Sequence, residues 1–147
     1  MTVALSAAET VTKLETVLPG SVVESNGNTV VVKDEILFKV ASFLKTTPGL
    51  DFDYLNYLTA VDYQTYFEVI YNLVSLKHNH CLVVKTRLTD REKPELPSVV
   101  SLWQGADFQE REIYDLFGIN FTGHPNLKRI FLWDGFHGYP LRKDFKQ

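Results

Sequence analysis

The residues best equipped for chemistry lie between positions 110 and 145. On a predicted helix, Glu112 and Asp115 are three apart and Arg111 and Asp115 four apart, so the three charges share a side. With His124 not far along the chain, the two carboxylates could ligate a metal or act as acid and base in a hydrolysis. The competing reading is that Arg111, Arg129 or Arg142 pairs with them and locks the turn that follows, because a guanidinium supplies the two-pronged geometry that fixes orientation. The pairing reading is preferred.

Other reactive types have plainer explanations. His124 is held extended by Pro125, and its imidazole could titrate near neutrality, but a hydrogen-bonded turn residue is the commoner role. His78 and His80 alternate in the manner of strand ligands, with Cys81 beside them, so zinc is conceivable. A turn accounts for them more simply, and Cys81 reads as a small core residue. Arg142-Lys143 could hold an anionic head group, yet Asp144 works against this. The flanking Leu141 and Phe145 look like anchors for a protein groove.

The stretch carrying these residues is broken at Gly118, Gly123, Pro125, Gly135, Gly138 and Pro140, so neither a long helix nor a central strand can run through it. Between the breakers stand Phe121, Phe131, Trp133, Phe136, Tyr139 and Phe145, with Arg129 and Arg142. Aromatics and Arg are the types enriched where one protein buries itself against another. Residues 118–147 are therefore expected to form an extended arm, ordered by a neighbouring polypeptide and presented by a core of residues 1–117 within the same domain.

Composition limits what such a chain can do. Its 147 residues suit one domain, 45% apolar and 22% charged, which is ordinary for a folded protein. The net charge of −3 argues against a nucleic-acid binder. The acidic excess lies in the body, since residues 1–109 hold 9 Lys/Arg against 13 Asp/Glu and residues 110–147 hold 6 against 5. One cysteine supplies neither an internal disulfide nor the four thiolates of a usual iron–sulfur cluster. No glycine-rich dinucleotide turn or phosphate loop is present. No apolar run approaches the ~20 residues of a membrane-spanning helix, and Met1 to Gly20 does not read as a signal peptide.

The elements that must position the arm are legible in order. Ser6 and Glu9 form a capping box ahead of a helix carrying Ala7, Val11, Leu14 and Leu18. Asn26-Gly27 between valine-rich pieces predicts a hairpin with a type I′ turn. Asp34 is expected to cap a second helix with Leu37, Val40, Ala41 and Leu44 on one face. Period-two patterns then predict strands around 53–63, through Phe67, Val69, Tyr71 and Leu73, and through Leu82, Val84, Thr86 and Leu88, with a turn at Lys77-His78-Asn79. Residues 89–97 read as a loop. Asp107 and Glu110 are expected to cap a helix with Phe108, Ile113, Leu116 and Phe117, closed by Gly118 as a left-handed residue. The fold class is α+β, a two-layer sandwich with a mixed or antiparallel sheet of about five strands covered by helices.

Three blocks give this pattern a family. Glu110-Arg111-Glu112 with Asp115 and Gly118-Ile119, then Gly123-His124-Pro125 with Arg129-Ile130, then Pro140-Leu141-Arg142-Lys143-Asp144-Phe145, resemble the thirty-kilodalton subunit family of respiratory complex I, called the C subunit in bacteria. A weaker match begins at Asp62-Tyr63, so about 85 residues carry the resemblance. It implies a hydrophilic subunit in the peripheral arm of a proton-translocating NADH:quinone oxidoreductase. Such a subunit has no active site or cofactor of its own, while FMN, iron–sulfur clusters and quinone belong to its partners. Those partners would be the forty-nine-kilodalton (D) subunit and the B subunit, in a hetero-oligomer peripheral to the membrane. It would lie on the cytoplasmic face of the cell membrane, or on the matrix or stromal side in an organelle.

The partner-binding residues implied are Glu110, Arg111, Glu112, Asp115, Phe121, His124, Pro125, Arg129, Trp133, Tyr139 and Pro140 through Phe145. Other readings are the equivalent subunit of a membrane-bound hydrogenase or a coenzyme F420-dependent dehydrogenase, a stand-alone metal-dependent hydrolase, or an adaptor gripping lipid through Arg142 and Lys143.

Overall fold

The computed structural model describes residues 3–133 and 135–145. The central sheet has six strands, with β2 (Val22–Asn26), β3 (Thr29–Val32), β6 (His80–Leu88), β5 (Phe67–Ser75) and β4 (Tyr54–Asp62) side by side in that order. A short β1 (Val3–Ala4) pairs parallel with the start of β6. β3 also runs parallel to β6, whereas β4, β5 and β6 are successively antiparallel. The sheet is therefore mixed, as the class predicted from sequence allows.

Alternation decides which face is core. Phe67, Val69, Tyr71 and Leu73 on β5, with Leu82, Val84, Thr86 and Leu88 on β6, are all buried. Against them pack three helices, α1 (Ala7–Val17), α2 (Leu37–Thr46) and α3 (Ala106–Phe117), whose buried residues join the strands in one apolar cluster. On the other face the cross-strand pair Glu68 and Arg87 meets at 3.2 Å. Lys85 lies 3.5 Å from Glu68, and Arg87 also reaches Glu24 at 2.5 Å.

Local chemistry departs from the sequence reading at four turns. The hairpin loop is Gly27-Asn28, because Asn26 pairs with Thr29. Gly27 alone takes the positive φ (60°), as the first central residue of a type II′ turn does, so the expected I′ turn on Asn26-Gly27 is displaced by one residue. Ser6 occupies the N-cap of α1 without a side-chain cap, and the free N–H of Ala7 is satisfied by the carbonyl of Gly27. Asp34 starts a 3-10 turn (Asp34–Ile36) and does not cap α2. Asp107 lies inside the first turn of α3, whose N-cap is Gly105.

Residues 89–97 are not all loop. Glu95–Pro97 (β7) pairs parallel with Asn120–Thr122 (β8) in a second, two-stranded sheet that brings buried Leu96 opposite buried Phe121. Pro94 and Pro97 suggested a loop, but proline is tolerated in so short an edge strand. Ile119 and Phe121 are fully buried, so the body extends through residue 122 and the arm proper starts after it.

Candidate partner-binding arm

The helix α3 is the rail on which the arm is laid. It is fixed from within by Glu110, a completely buried carboxylate. Oε1 accepts the Ser98 hydroxyl hydrogen at 2.6 Å and Oε2 the Val99 N–H at 2.8 Å. These bonds tie α3 to the loop after β7, which is why Glu110 is not the capping partner of Asp107. Burial pushes its carboxyl above the usual range, a shift that the two hydrogen bonds oppose.

Gly118 closes α3 at φ 76°, its N–H donating to Tyr114 O, as the sequence predicts. The Tyr139 ring lies directly over it, so that a β-carbon on Gly118 would stand 2.6 Å from Tyr139 Cε2. Only glycine satisfies both the backbone angle and the approach of the returning chain.

The arm then follows α3 from its first turn to its last. His124 Nε2 lies 3.0 Å from Asp107 Oδ1 and 3.3 Å from the Asp107 carbonyl oxygen, while Nδ1 accepts the N–H of Asn126 at 2.9 Å. The accepting Nδ1 places the proton of the neutral ring on Nε2, where it faces Asp107. One turn on, Arg111 Nε donates to the Lys128 carbonyl. One turn further, buried Asp115 accepts three consecutive backbone N–H groups through Oδ2, those of Ile130 (3.1 Å), Phe131 (2.7 Å) and Leu132 (3.2 Å). Asp115 Oδ1 faces Arg129 Nε at 3.7 Å, and Arg129 itself donates to Gly138 O while lying over Tyr139 and Phe136.

The tail is latched a second time. Leu141 N donates to Leu116 O, and Arg142 donates to the carbonyls of Phe117 (2.5 Å) and Arg91 (3.1 Å). Arg142 and Arg91 both lie over the Phe67 ring, at 5.0 and 4.4 Å. Asp62, at the end of β4, receives both terminal nitrogens of Arg91 and the N–H of Lys143 at 2.8 Å. The Arg91 guanidinium holds the Asp62 carboxyl well below the usual carboxylate range, against its burial.

This geometry sorts the residues singled out in the sequence. Glu110, Asp115 and Phe121, implied as partner-binding, are buried and make their contacts inside the chain. The guanidiniums of Arg129 and Arg142 likewise bond inside the chain, to Gly138 within the arm and to Phe117 and Arg91 in the body. The hydrogen bonds described for this stretch run to the chain's own body and to the arm itself. Arg111, His124, Tyr139, Pro140 and Phe145 are partly buried, whereas Glu112, Pro125, Lys143 and Asp144 are exposed.

Among the described residues of the arm, the large apolar groups that face outward are Phe131 (63% exposed), Trp133 (69%) and Leu141 (52%). On α3, Phe108 is 65% exposed and lies under the Arg111 guanidinium. Sequence reasoning missed Ser98, Asp62 and Arg91 as supports. For Asp62 the available signal was a carboxylate closing an apolar strand.

Glu112, Asp115 and His124 are not gathered into one centre, because Asp115 is committed to residues 129–132 and His124 to Asp107. Among the described residues no group of three or more His, Cys, Asp or Glu is placed to hold a metal ion. His78 reaches Asp51 at 2.7 Å and His80 the Leu50 carbonyl at 3.1 Å, consistent with turn and strand roles. No described helix is long and apolar enough to cross a membrane.

A mixed sheet covered by three helices, with an arm folded back along the last helix, defines an α+β fold class. The same fold occurs in a chain of the solved structure titled "Structure of the membrane-bound sulfane sulfur reductase (MBS), an archaeal respiratory membrane complex". The likeness has a TM-score of 0.74 at 24% identity, covering 95% of this chain and 85% of that one.

The family model described as respiratory-chain NADH dehydrogenase, 30 Kd subunit, matches residues 30–147, and the chain belongs to that family. It is 40% identical to the C subunit of NADH-quinone oxidoreductase from Roseiflexus sp. (strain RS-1), covering 96% of this chain and 84% of that protein. It is 46% identical to the mitochondrial NADH-ubiquinone oxidoreductase 30.4 kDa subunit of Neurospora crassa over 80% of this chain, and spans 42% of that protein. With the C/D subunit of NADH-quinone oxidoreductase from Phocaeicola vulgatus it shares 49% identity over 71% of its length, while spanning 20% of that longer protein.

Proposed function

We propose that this chain is the C subunit of a proton-translocating NADH:quinone oxidoreductase and acts there by position, without an active site of its own. The observation that carries the reading is the family match over residues 30–147, which contain the whole arm and both of its latches. In this role the chain packs on the forty-nine-kilodalton (D) subunit, next to the B subunit, and holds the quinone-proximal iron–sulfur module in register. FMN, clusters and quinone are bound by those and other partners. The relative named as a C/D subunit supports the forty-nine-kilodalton protein as the neighbour, since a stretch like this one is there part of the same polypeptide. The complex would hold it on the cytoplasmic face of the cell membrane, or on the matrix side in a mitochondrion.

A second reading keeps the architecture and changes the electron donor, as in a membrane-bound hydrogenase or a coenzyme F420-dependent dehydrogenase. The fold likeness to a chain of the sulfane sulfur reductase complex favours retaining it.

Affinity isolation of the tagged chain from its host's membranes in mild detergent tests both. The first reading expects the D and B subunits, a flavoprotein, and NADH-driven quinone reduction in the isolate. Companions of a hydrogenase, with no NADH-driven activity, support the second. A chain that travels alone contradicts both.

A further inference from the structure

We infer that Asn26 is a site of spontaneous modification, where the chain converts its own asparagine through a cyclic imide into aspartate and isoaspartate, and that the isoaspartyl form unseats the start of α1. Of the seven asparagines only Asn26 is followed by glycine, the others preceding Thr29, Tyr57, Leu73, His80, Phe121 and Leu127. In the reaction Gly27 N loses its proton and bonds to Asn26 Cγ, and ammonia leaves. A water molecule then opens the five-membered imide at either carbonyl. One opening gives aspartate, and the other gives isoaspartate, whose main chain runs through the former side chain and is longer by one methylene.

The fold leaves this site open. Asn26 is exposed at the end of β2, an edge strand of the sheet. Gly27 has no β-carbon to shield its nitrogen, and no atom lies within 4 Å of where one would stand. Among the described residues its N–H donates no hydrogen bond. Asn26 with Thr29 is the last rung of the hairpin, so the rotation that brings the nitrogen onto Cγ needs only local fraying. The same turn supports α1, because Ser6 gives no side-chain cap and the Gly27 carbonyl accepts the Ala7 N–H at 2.8 Å. The next carbonyl, that of Asn28, accepts the Val83 N–H at 2.9 Å and seats the hairpin on β6. An added methylene between residues 26 and 27 shifts the Gly27 carbonyl away from Ala7. Since Ala7 is buried, water does not readily replace that acceptor.

The test ages the purified full-length chain at pH 6 and pH 8.5, native and in urea, beside the variants Asn26→Gln, Gly27→Ala and Asn26→Asp. Peptide mass spectrometry follows every asparagine, and backbone amide exchange is read at Ala7 before and after ageing. In the native wild type, conversion at Asn26 is expected to run at least tenfold faster than at any other asparagine. It should quicken with pH, because the attacking nitrogen must give up its proton. Asn26→Gln, whose imide would need a six-membered ring, and Gly27→Ala should each slow it at least tenfold. Ala7 exchange in the isoaspartyl chain should rise at least tenfold. In fresh Asn26→Asp, which carries the charge on a normal backbone, it should stay within twofold of fresh wild type.

Conversion confined to urea would show that the folded hairpin shields the site, and this overturns the proposal. Equal rates at Asn26 and another asparagine overturn it as well. Unchanged Ala7 exchange in the converted chain, or an equal rise in Asn26→Asp, overturns the link to α1. If Gly27→Ala does not fold, Asn26→Gln decides by the same mass reading.

Discussion

Asp62 and Arg91 meet through two hydrogen bonds, 2.6 and 3.0 Å long, between the end of β4 and the loop after β6, and Lys143 closes the same carboxylate from the tail. Three distant segments are thus tied at one point, and the tail is held by its own chain.

Asp62→Asn should loosen the tail and cost about 1–3 kcal/mol, the range for losing hydrogen bonds to a charged group. Because the folded-state carboxyl sits below its unfolded value near ~3.9, its contribution is fully present above that pH and is lost as pH falls below it. Urea midpoints between pH 7 and pH 2 should drop less steeply in the variant than in the wild type. Parallel curves would remove Asp62 as the acid-sensitive latch.

For Glu110 the sign reverses. Its folded-state carboxyl is raised by burial, so the native state binds the proton more tightly, and this residue's contribution weakens as pH rises through that raised value. Glu110→Gln, which can accept from Val99 and donate to Ser98, should change stability by less than about 1 kcal/mol at pH 7, and the wild type should gain on it as pH falls toward 5. Glu110→Ala leaves the Val99 N–H without its acceptor and should cost about 2–3 kcal/mol. Thermal melts across pH 5–8 read both.

Gly118→Ala meets two obstacles, a left-handed backbone angle that costs about 1–2 kcal/mol and the Tyr139 ring. Removing the ring should relieve only the second. A double-mutant cycle with Tyr139→Ala is therefore expected to show the paired variant losing less than the sum of the single losses, measured by denaturant unfolding. Simple additivity would mean that the ring moves aside without cost.

Much of the fold could be read from the residues, because period-two runs such as Phe67 to Leu73 admit few alternatives to a buried strand. The short β7 and β8 escaped, since three residues give no period and the prolines pointed the other way. The arm was legible as an element but not in its support. Asp115 and Arg142 were marked as important, yet nothing in one sequence tells a carboxylate that faces a partner from one that caps backbone N–H groups fifteen residues away.

The most direct test pairs the two exposed rings with the stability of the chain that carries them. Phe131→Ala combined with Trp133→Ala should leave the melting temperature of the isolated chain within about 2 °C, the range for surface changes of ±0.5 kcal/mol. The same double variant should reduce recovery of the forty-nine-kilodalton subunit with the tagged chain at least tenfold, as expected when hot-spot aromatics are removed. Full recovery of that subunit, or a collapse of the isolated chain's melting temperature, would contradict the account of an arm held by its own body and offered to a neighbour.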